Sequence, residues 1–211
     1  TSAMDILKSL AETGNSSAQF YVARMYDNGE GVQRDDAEAV RWYRRAAELG
    51  NVSAQNNLGA MYGSGEGVKQ DNAKALYWFR LAADRGDAKA QSNLGAMFIY
   101  GKGVPQDDSE AISWFRLAAR QGNASAQFYL GVMYQEGRSV VKDATEAVRW
   151  YRLSADQGDA FAQTSLGNMY SKGQGVLKDT TEAVRWYLLA AKQGNSAAQM
   201  NLATKYLLGE G

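Results

Sequence analysis

The sequence predicts an all-α chain, a solenoid of stacked antiparallel helix pairs, and three observations lead there. One text recurs without insertion or deletion: "GNSSAQFYVARMY" at Gly14, "GNVSAQNNLGAMY" at Gly50, "GDAKAQSNLGAMF" at Gly86, "GNASAQFYLGVMY" at Gly122, "GDAFAQTSLGNMY" at Gly158 and "GNSAAQMNLATKY" at Gly194, each 36 residues after the last. All the tryptophans, Trp42, Trp78, Trp114, Trp150 and Trp186, hold one equivalent place in successive units. Apolar residues in both halves of a unit recur at helical spacing. A period of this length marks a repeat array, because one helix pair cannot bury its own apolar stripe and must stack on its neighbours.

Taken in order, residues 1–13 read as an N-terminal helix, a partial repeat or cap, in which Ile6 and Leu7 replace the Trp-Tyr pair of a second helix. Full repeats follow at 14–49, 50–85, 86–121, 122–157 and 158–193, and 194–211 is a truncated half repeat. Residues 1–3 read as an appended scar, and "LLGEG" as a loop that stops before its second helix, so the expectation is a fragment of a longer array.

Within a unit, Ala18, Val22, Met25 and Tyr26 form one stripe of a first helix, and Ala39, Trp42, Tyr43, Ala46 and Ala47 one stripe of a second. Asp35, Asp107, Asp143 and Asp179 each stand three residues before a glutamate (Glu38, Glu110, Glu146, Glu182), the capping-box spacing; Asp71 is followed instead by Lys74. The glycine that closes each second helix precedes an Asn or Asp able to cap the next. Gly59, Gly95, Gly131 and Gly167, with Ala23 and Ala203 in the outer units, are expected to let helices approach closely.

The stretch "LGAMYGSGEGV", Leu58 to Val68, resembles a phosphate-cradling loop until its counterparts are read: "DNGEGV", "IYGKGV", "QEGRSV" and "SKGQGV" stand in the same place in other units. A phosphate loop follows a strand and opens a helix, whereas here a helix precedes the glycines. They belong to a tight connection needing positive φ.

Composition narrows the function. With 23 basic and 23 acidic residues the formal net charge is zero, which leaves no electrostatic footprint for nucleic acid. No apolar run approaches the roughly 18 to 20 residues that span a bilayer, so no membrane insertion is expected. Histidine and cysteine are both absent, which removes the commonest general base and the commonest soft metal ligands; no cofactor or metal is expected. The visible carboxylate pairs, Asp35-Asp36 and Asp107-Asp108, lie at helix starts where capping accounts for them, so a carboxylate-dependent hydrolase is the weakest alternative.

The consensus "AQxxLGxMYxxGxGVxxDxxEAVRWYxxAAxxG" resembles the Sel-one-like repeat (SLR) family, a branch of the tetratricopeptide-type helical repeats, over nearly the whole chain. The resemblance implies a right-handed superhelix whose first helices line a concave face, and a non-enzymatic adaptor that binds a protein or peptide there. It also implies a bacterial protein, periplasmic or secreted rather than cytoplasmic, meeting envelope or host proteins in the manner of virulence-associated relatives; lacking cysteine, the chain is not of the cysteine-rich branch.

By that geometry, partner choice lies where units differ along the first helices. The residues expected to meet a partner are Phe20, Tyr21, Arg24, Ile99, Tyr100, Phe128, Tyr129, Val132, Phe161 and Asn168. Phe128 and Phe161 are expected to form one patch, since exposed aromatic residues are typical interface anchors; the alternative is that these rings close gaps between neighbouring helices. Asn57, Asn93 and Asn201 share one position and read as a backbone-bonded ladder. Arg41, Arg149 and Arg185, with Glu38, Glu146 and Glu182, read as a solvated face of weak ion pairs. Self-association end to end through the exposed terminal repeat is the alternative to binding a different protein.

Overall fold

The computed structural model describes residues 3–209, and they form two compact units that divide between Asp107 and Asp108. Thr1, Ser2, Glu210 and Gly211, which belong to the expected scar and the expected unfinished loop, lie outside the described residues. The first unit holds α1 (Ala3–Glu12), α2 (Ser16–Asn28), α3 (Asp36–Glu48), α4 (Val52–Ser64), α5 (Asn72–Asp84) and α6 (Ala88–Tyr100). The second holds α7 (Asp108–Arg120), α8 (Ala124–Glu136), α9 (Ala144–Asp156), α10 (Ala160–Lys172), α11 (Thr180–Lys192) and α12 (Ser196–Leu207). Among the described residues there is no strand, and in each unit every helix packs on the next.

Each first helix starts where the sequence places a cap. Asn15, Asn51, Asp87, Asn123, Asp159 and Asn195 accept a backbone N–H three residues on, at 2.8–3.0 Å, which satisfies one of the orphan donors of a helix start. The second helices use only half of the expected capping box. Asp35, Asp71, Asp143 and Asp179 accept from the N–H three residues on, each at 3.0 Å. Their own N–H groups are already donated across the loop to the carbonyls of Tyr26, Tyr62, Tyr134 and Tyr170 at 2.9–3.0 Å. With that donor taken, Glu38, Glu146 and Glu182 turn outward and pair with Arg41, Arg149 and Arg185.

The paired loop glycines have two separate reasons. Gly65 ends α4 in the left-handed region, φ 83, with its N–H on the Met61 carbonyl. Gly67, φ 65, lies so close to the start of α3 in the preceding repeat that a Cβ would collide with the Asp36 carbonyl, and Gly175 stands likewise against Ala144. In the fourth loop Ser139 occupies that second place at φ 51, the one non-glycine with positive φ among the described residues. Beside it Arg138 holds Asp108 of α7 with two bonds, 2.9 and 2.6 Å.

The core follows the stripes, with one refinement. The ring after each tryptophan goes deepest: Tyr43, Phe79, Phe115, Tyr151 and Tyr187 are all buried, whereas Trp78, Trp114 and Trp150 are half-buried. Opposite these rings stand the helical glycines. A Cβ on Gly59 would meet the Phe79 ring at 2.8 Å, on Gly131 the Tyr151 ring at 2.5 Å and on Gly167 the Tyr187 ring at 2.6 Å. Close approach thus occurs within a helix pair, ring against backbone.

A glutamine in each "AQ" pair, buried in every one but the last, ties successive repeats. Gln19, Gln55, Gln91, Gln127, Gln163 and Gln199 donate Nε2 to the carbonyls of Ala11, Ala47, Ala83, Ala119, Ala155 and Ala191, at 2.9–3.3 Å. Those carbonyls belong to the last turn of the preceding second helix, where each also accepts the N–H of the closing glycine at 2.9–3.1 Å, so the glutamine fills the second lone pair.

Candidate binding surface

Each unit carries a groove floored by its first helices, and the two grooves are built at the same repeat positions. In the first unit Phe20, Arg24, Asp27 and Asn28 of α2, Tyr43 of α3, Ser53, Asn56 and Asn57 of α4, and Asp87 to Lys89 at the start of α6 line a groove of about 660 Å³. In the second unit Phe128 of α8, Phe161, Thr164 and Ser165 of α10, and Gly194 to Ala197 at the start of α12 line one of about 410 Å³.

The first groove is floored by polar side chains in series. Asn93 Nδ2 donates to Asn56 Oδ1 (3.1 Å), Asn56 Nδ2 to Asn57 Oδ1 (3.2 Å), Asn57 Nδ2 to the Tyr43 hydroxyl (3.0 Å), and that hydroxyl to Asp27 Oδ2 (3.0 Å). The asparagines therefore bond side chain to side chain, not to backbone as expected, because neighbouring first helices bring side chains at adjoining positions within reach while helix hydrogen bonds occupy the backbone. Burial pushes the Tyr43 hydroxyl pKa well above the usual phenol value; the bond from Asn57 opposes this and the charge of Asp27 adds to it.

The second groove is aromatic. The Phe128 and Phe161 rings lie 6.1 Å apart, and Phe128 also meets Tyr129 at 5.5 Å and Tyr151 at 5.9 Å. Phe161 is 65% exposed, far more than its size favours in water. Phe128 is half-buried and packs on the core. The Tyr151 hydroxyl donates to Gln135 Oε1 at 2.6 Å, and burial raises its pKa as it does that of Tyr43.

The sequence-predicted residues divide accordingly. Phe20 and Arg24 line the first groove, Phe128 and Phe161 the second. Tyr21 is 52% exposed with its ring 5.6 Å from Phe20. Tyr100 is 58% exposed, whereas Ile99 is buried at 6% and presents no surface to a partner. Val132 packs against the core, Tyr129 stacks on Phe115 at 4.8 Å, and Asn168 accepts from Tyr187 (2.8 Å) and Asn201 (3.0 Å). Sequence reasoning missed the helix-start residues Asp87 and Ala88 and Gly194 to Ala197, and the Tyr43 hydroxyl. A cap position reads as structural, and nothing in its residue type signals that it also forms a groove wall.

Three carboxylates of the acidic pairs have structural partners. Asp35 caps α3, Asp36 pairs with Arg34 at 2.7 Å and Asp108 with Arg138. Among the described residues no cluster of three potential metal ligands occurs, and no helix is long and apolar enough to cross a membrane.

The family model described as "Sel1 repeat" matches residues 16–51, 52–87, 88–123, 124–159, 160–195 and 196–211. A solved structure similar to this chain is that of a protective antigen present in uropathogenic Escherichia coli strains, displaying an SLR fold: 40% identity, TM-score 0.88, covering 99% of this chain and 45% of that one. A Sel1 repeat protein from Oxalobacter formigenes is 39% identical with TM-score 0.85, covering 92% of this chain and 79% of that one. An immunity protein from Pseudomonas aeruginosa, 21% identical with TM-score 0.62 over 92% of this chain and 74% of that one, shares the fold. No match is found among curated proteins. The chain belongs to the Sel1 repeat family, whose solenoids are generally non-catalytic protein-interaction scaffolds, and spans less than half of the E. coli antigen.

Proposed function

We propose that this Sel1 repeat chain is a non-enzymatic scaffold that binds a protein or peptide on its first-helix face, with the aromatic groove of the second unit as its anchor. The observation that carries the reading is Phe161, 65% exposed beside the Phe128 ring at 6.1 Å. Burying an aromatic side chain against a partner stabilises a complex by about 1.5–3 kcal/mol, and such rings are the commonest interface anchors. The polar first groove adds hydrogen-bonding groups of the kind that orient a polypeptide. The likeness to a protective antigen supports a bacterial envelope or host protein as the partner class.

Selection of random displayed peptides on the immobilised chain, repeated with Phe161→Ala, tests this. Phe161 is exposed enough for the variant to stay folded, which circular dichroism checks. The expected ligands carry apolar or aromatic residues and bind Phe161→Ala at least tenfold more weakly. Ligands that bind both proteins equally would remove the aromatic groove from the account.

A second reading, self-association, draws on α12, where Met200 is 72%, Tyr206 54% and Leu207 88% exposed. It requires a mass in sedimentation that rises with concentration and returns to monomer in Met200→Glu. A constant mass would dismiss it.

A further inference from the structure

We propose that three arginines of α3 form a binding site for a phosphate group, free or esterified, on the second-helix face of the first unit. The inference goes beyond the scaffold reading and uses none of the residues that line either groove.

Arg41, Trp42, Arg44 and Arg45 line a depression of about 170 Å³, room for one small anion. No carboxylate is among the lining residues. Arg41 pairs with Glu38. Arg44 donates Nη2 to the Tyr62 hydroxyl at 2.7 Å, a neutral acceptor that leaves the guanidinium charge uncancelled. Arg45 lies over the Trp42 ring, 4.8 Å from its centroid, with no acidic partner among the described residues. Lys74, over the Tyr62 ring, brings its own carboxylate, Asp71, at 3.3 Å and leaves the balance unchanged. With Glu38 counted as fully charged, the three arginines keep two positive charges in excess, and one even when Glu48 of the last turn is set against them.

Comparison of repeats separates this cluster from the needs of packing. The place of Arg45 holds Leu81, Leu117, Leu153 and Leu189 in later repeats, and that of Arg41 holds Tyr77, Ser113, Arg149 and Arg185. Arg80, Arg116, Arg152 and Leu188 stand at the place of Arg44. Only α3 carries arginine at all three places. Arg44 is also half-buried, whereas Arg80, Arg116 and Arg152 are exposed. Leucine serves the fold where Arg45 stands, and like charges three and four residues apart on a helix repel. An anion seated among them removes that repulsion.

Geometry and charge select the anion. Separate anchors, namely Glu38, the Tyr62 hydroxyl and the Trp42 ring, hold the three guanidiniums, so binding costs little side-chain freedom. Each guanidinium carries N–H donors in a planar fork, of which Arg41 uses one on Glu38 and Arg44 one on Tyr62. Donors from three forks suit a tetrahedral oxyanion better than a flat carboxylate with two oxygens. A phosphate ester near neutral pH carries about −1.5 to −2 charges, which matches the excess.

The test follows the Trp42 indole and the Arg44 and Arg45 side-chain N–H signals of the full chain by NMR, as sodium phosphate replaces sodium chloride at constant ionic strength. Expected is a saturable shift with a midpoint at or below about 1 mM, weakened about tenfold in Arg45→Leu and in Arg44→Leu. Both variants install a residue that the repeat itself uses at that place, and circular dichroism checks their fold. The α9 counterpart, Arg149, Arg152 and Leu153, is the internal control and should respond only weakly. Four results would overturn the proposal: no saturation by about 10 mM phosphate, an equal response at α9, a response unchanged in both variants, or sodium acetate matching phosphate. N-acetyl phosphoserine amide separates the two sources: tighter binding than inorganic phosphate assigns the site to a phosphate ester on a larger molecule, weaker binding to the free ion.

Discussion

The two grooves occupy the same repeat positions three repeats apart and differ in almost every lining residue. Phe20 corresponds to Phe128, but Arg24 becomes Val132, Ser53 becomes Phe161, Asn56 and Asn57 become Thr164 and Ser165, and Lys89 becomes Ala197. The scaffold residues around them do not change: Tyr43 and Tyr151 are both buried, and Gln55 and Gln163 make the same bond to the preceding helix at 3.1 Å. The fold is thus held by one set of positions and the surface chemistry by another, so one frame carries a charged groove and an aromatic one.

The units also differ in how completely the frame is satisfied. In the second unit Gln157 Nε2 donates to Gln127 Oε1 (2.7 Å) and Gln193 Nε2 to Gln163 Oε1 (2.9 Å). In the first unit the corresponding residues are Leu49 and Arg85; Leu49 has no donor and Arg85 turns to the Gly50 carbonyl at 2.6 Å. Gln19 Oε1 and Gln55 Oε1 are consequently buried without a partner.

The largest effect expected from this comparison is at the helical glycines. Gly131→Ala drives a Cβ to 2.5 Å from a Tyr151 ring that its hydroxyl bond to Gln135 holds in place, and should cost about 2–3 kcal/mol in urea unfolding. Gly59→Ala meets Phe79 at 2.8 Å, a ring with no hydroxyl, and should cost less. Gly63→Ala, with only Ala75 at 3.8 Å, should stabilise by about 0.5–1 kcal/mol through helix propensity. Equal costs at Gly131 and Gly59 would mean that the tyrosine anchor does not matter.

A middle-sized effect follows from the buried tyrosines. The hydroxyl pKa values of Tyr43 and Tyr151 are raised by burial, so above the unfolded value of about 10 the unfolded chain releases protons that the folded chain keeps. Their contribution is fully present below pH 10 and is lost above it, by about 1 kcal/mol for each tyrosine by pH 11. Tyr43→Phe should flatten that loss in a pH series of unfolding curves; an unchanged slope would assign it elsewhere.

The smallest effect is a repair. Leu49→Gln supplies Gln19 with the donor that Gln127 and Gln163 have, and should stabilise by about 0.5–1.5 kcal/mol, a rise of about 2–4 °C in Tm per kcal/mol for a chain of this size. The reverse change, Gln157→Leu, should lower stability by a similar amount.

Much of this was legible in the sequence because repetition separates roles. Trp42 and its counterparts, the caps and the loop glycines recur, and their reasons are local, so pattern and backbone chemistry suffice. What the sequence concealed depends on neighbours across repeats. Half of the capping box is absent because the Tyr26 carbonyl takes the Asp35 N–H first. The role of the "AQ" glutamine depends on a carbonyl eight residues back and on a donor thirty residues ahead. The Phe128–Phe161 patch was readable because both rings break an otherwise polar stripe. Ile99 broke the same stripe and is buried, since an apolar side chain turns inward wherever packing admits it.

The most direct test of the central claim, that variable residues on a constant frame set what each groove binds, is a reciprocal exchange: Ser53→Phe in one protein and Phe161→Ser in another. Each would be titrated with a labelled peptide selected on the parent chain for its dependence on Phe161. The account predicts that Phe161→Ser weakens binding at least tenfold, and that Ser53→Phe creates a second site for that peptide, doubling the stoichiometry without loss of stability. Unchanged affinity in Phe161→Ser, or an unchanged stoichiometry in a folded Ser53→Phe, would contradict it.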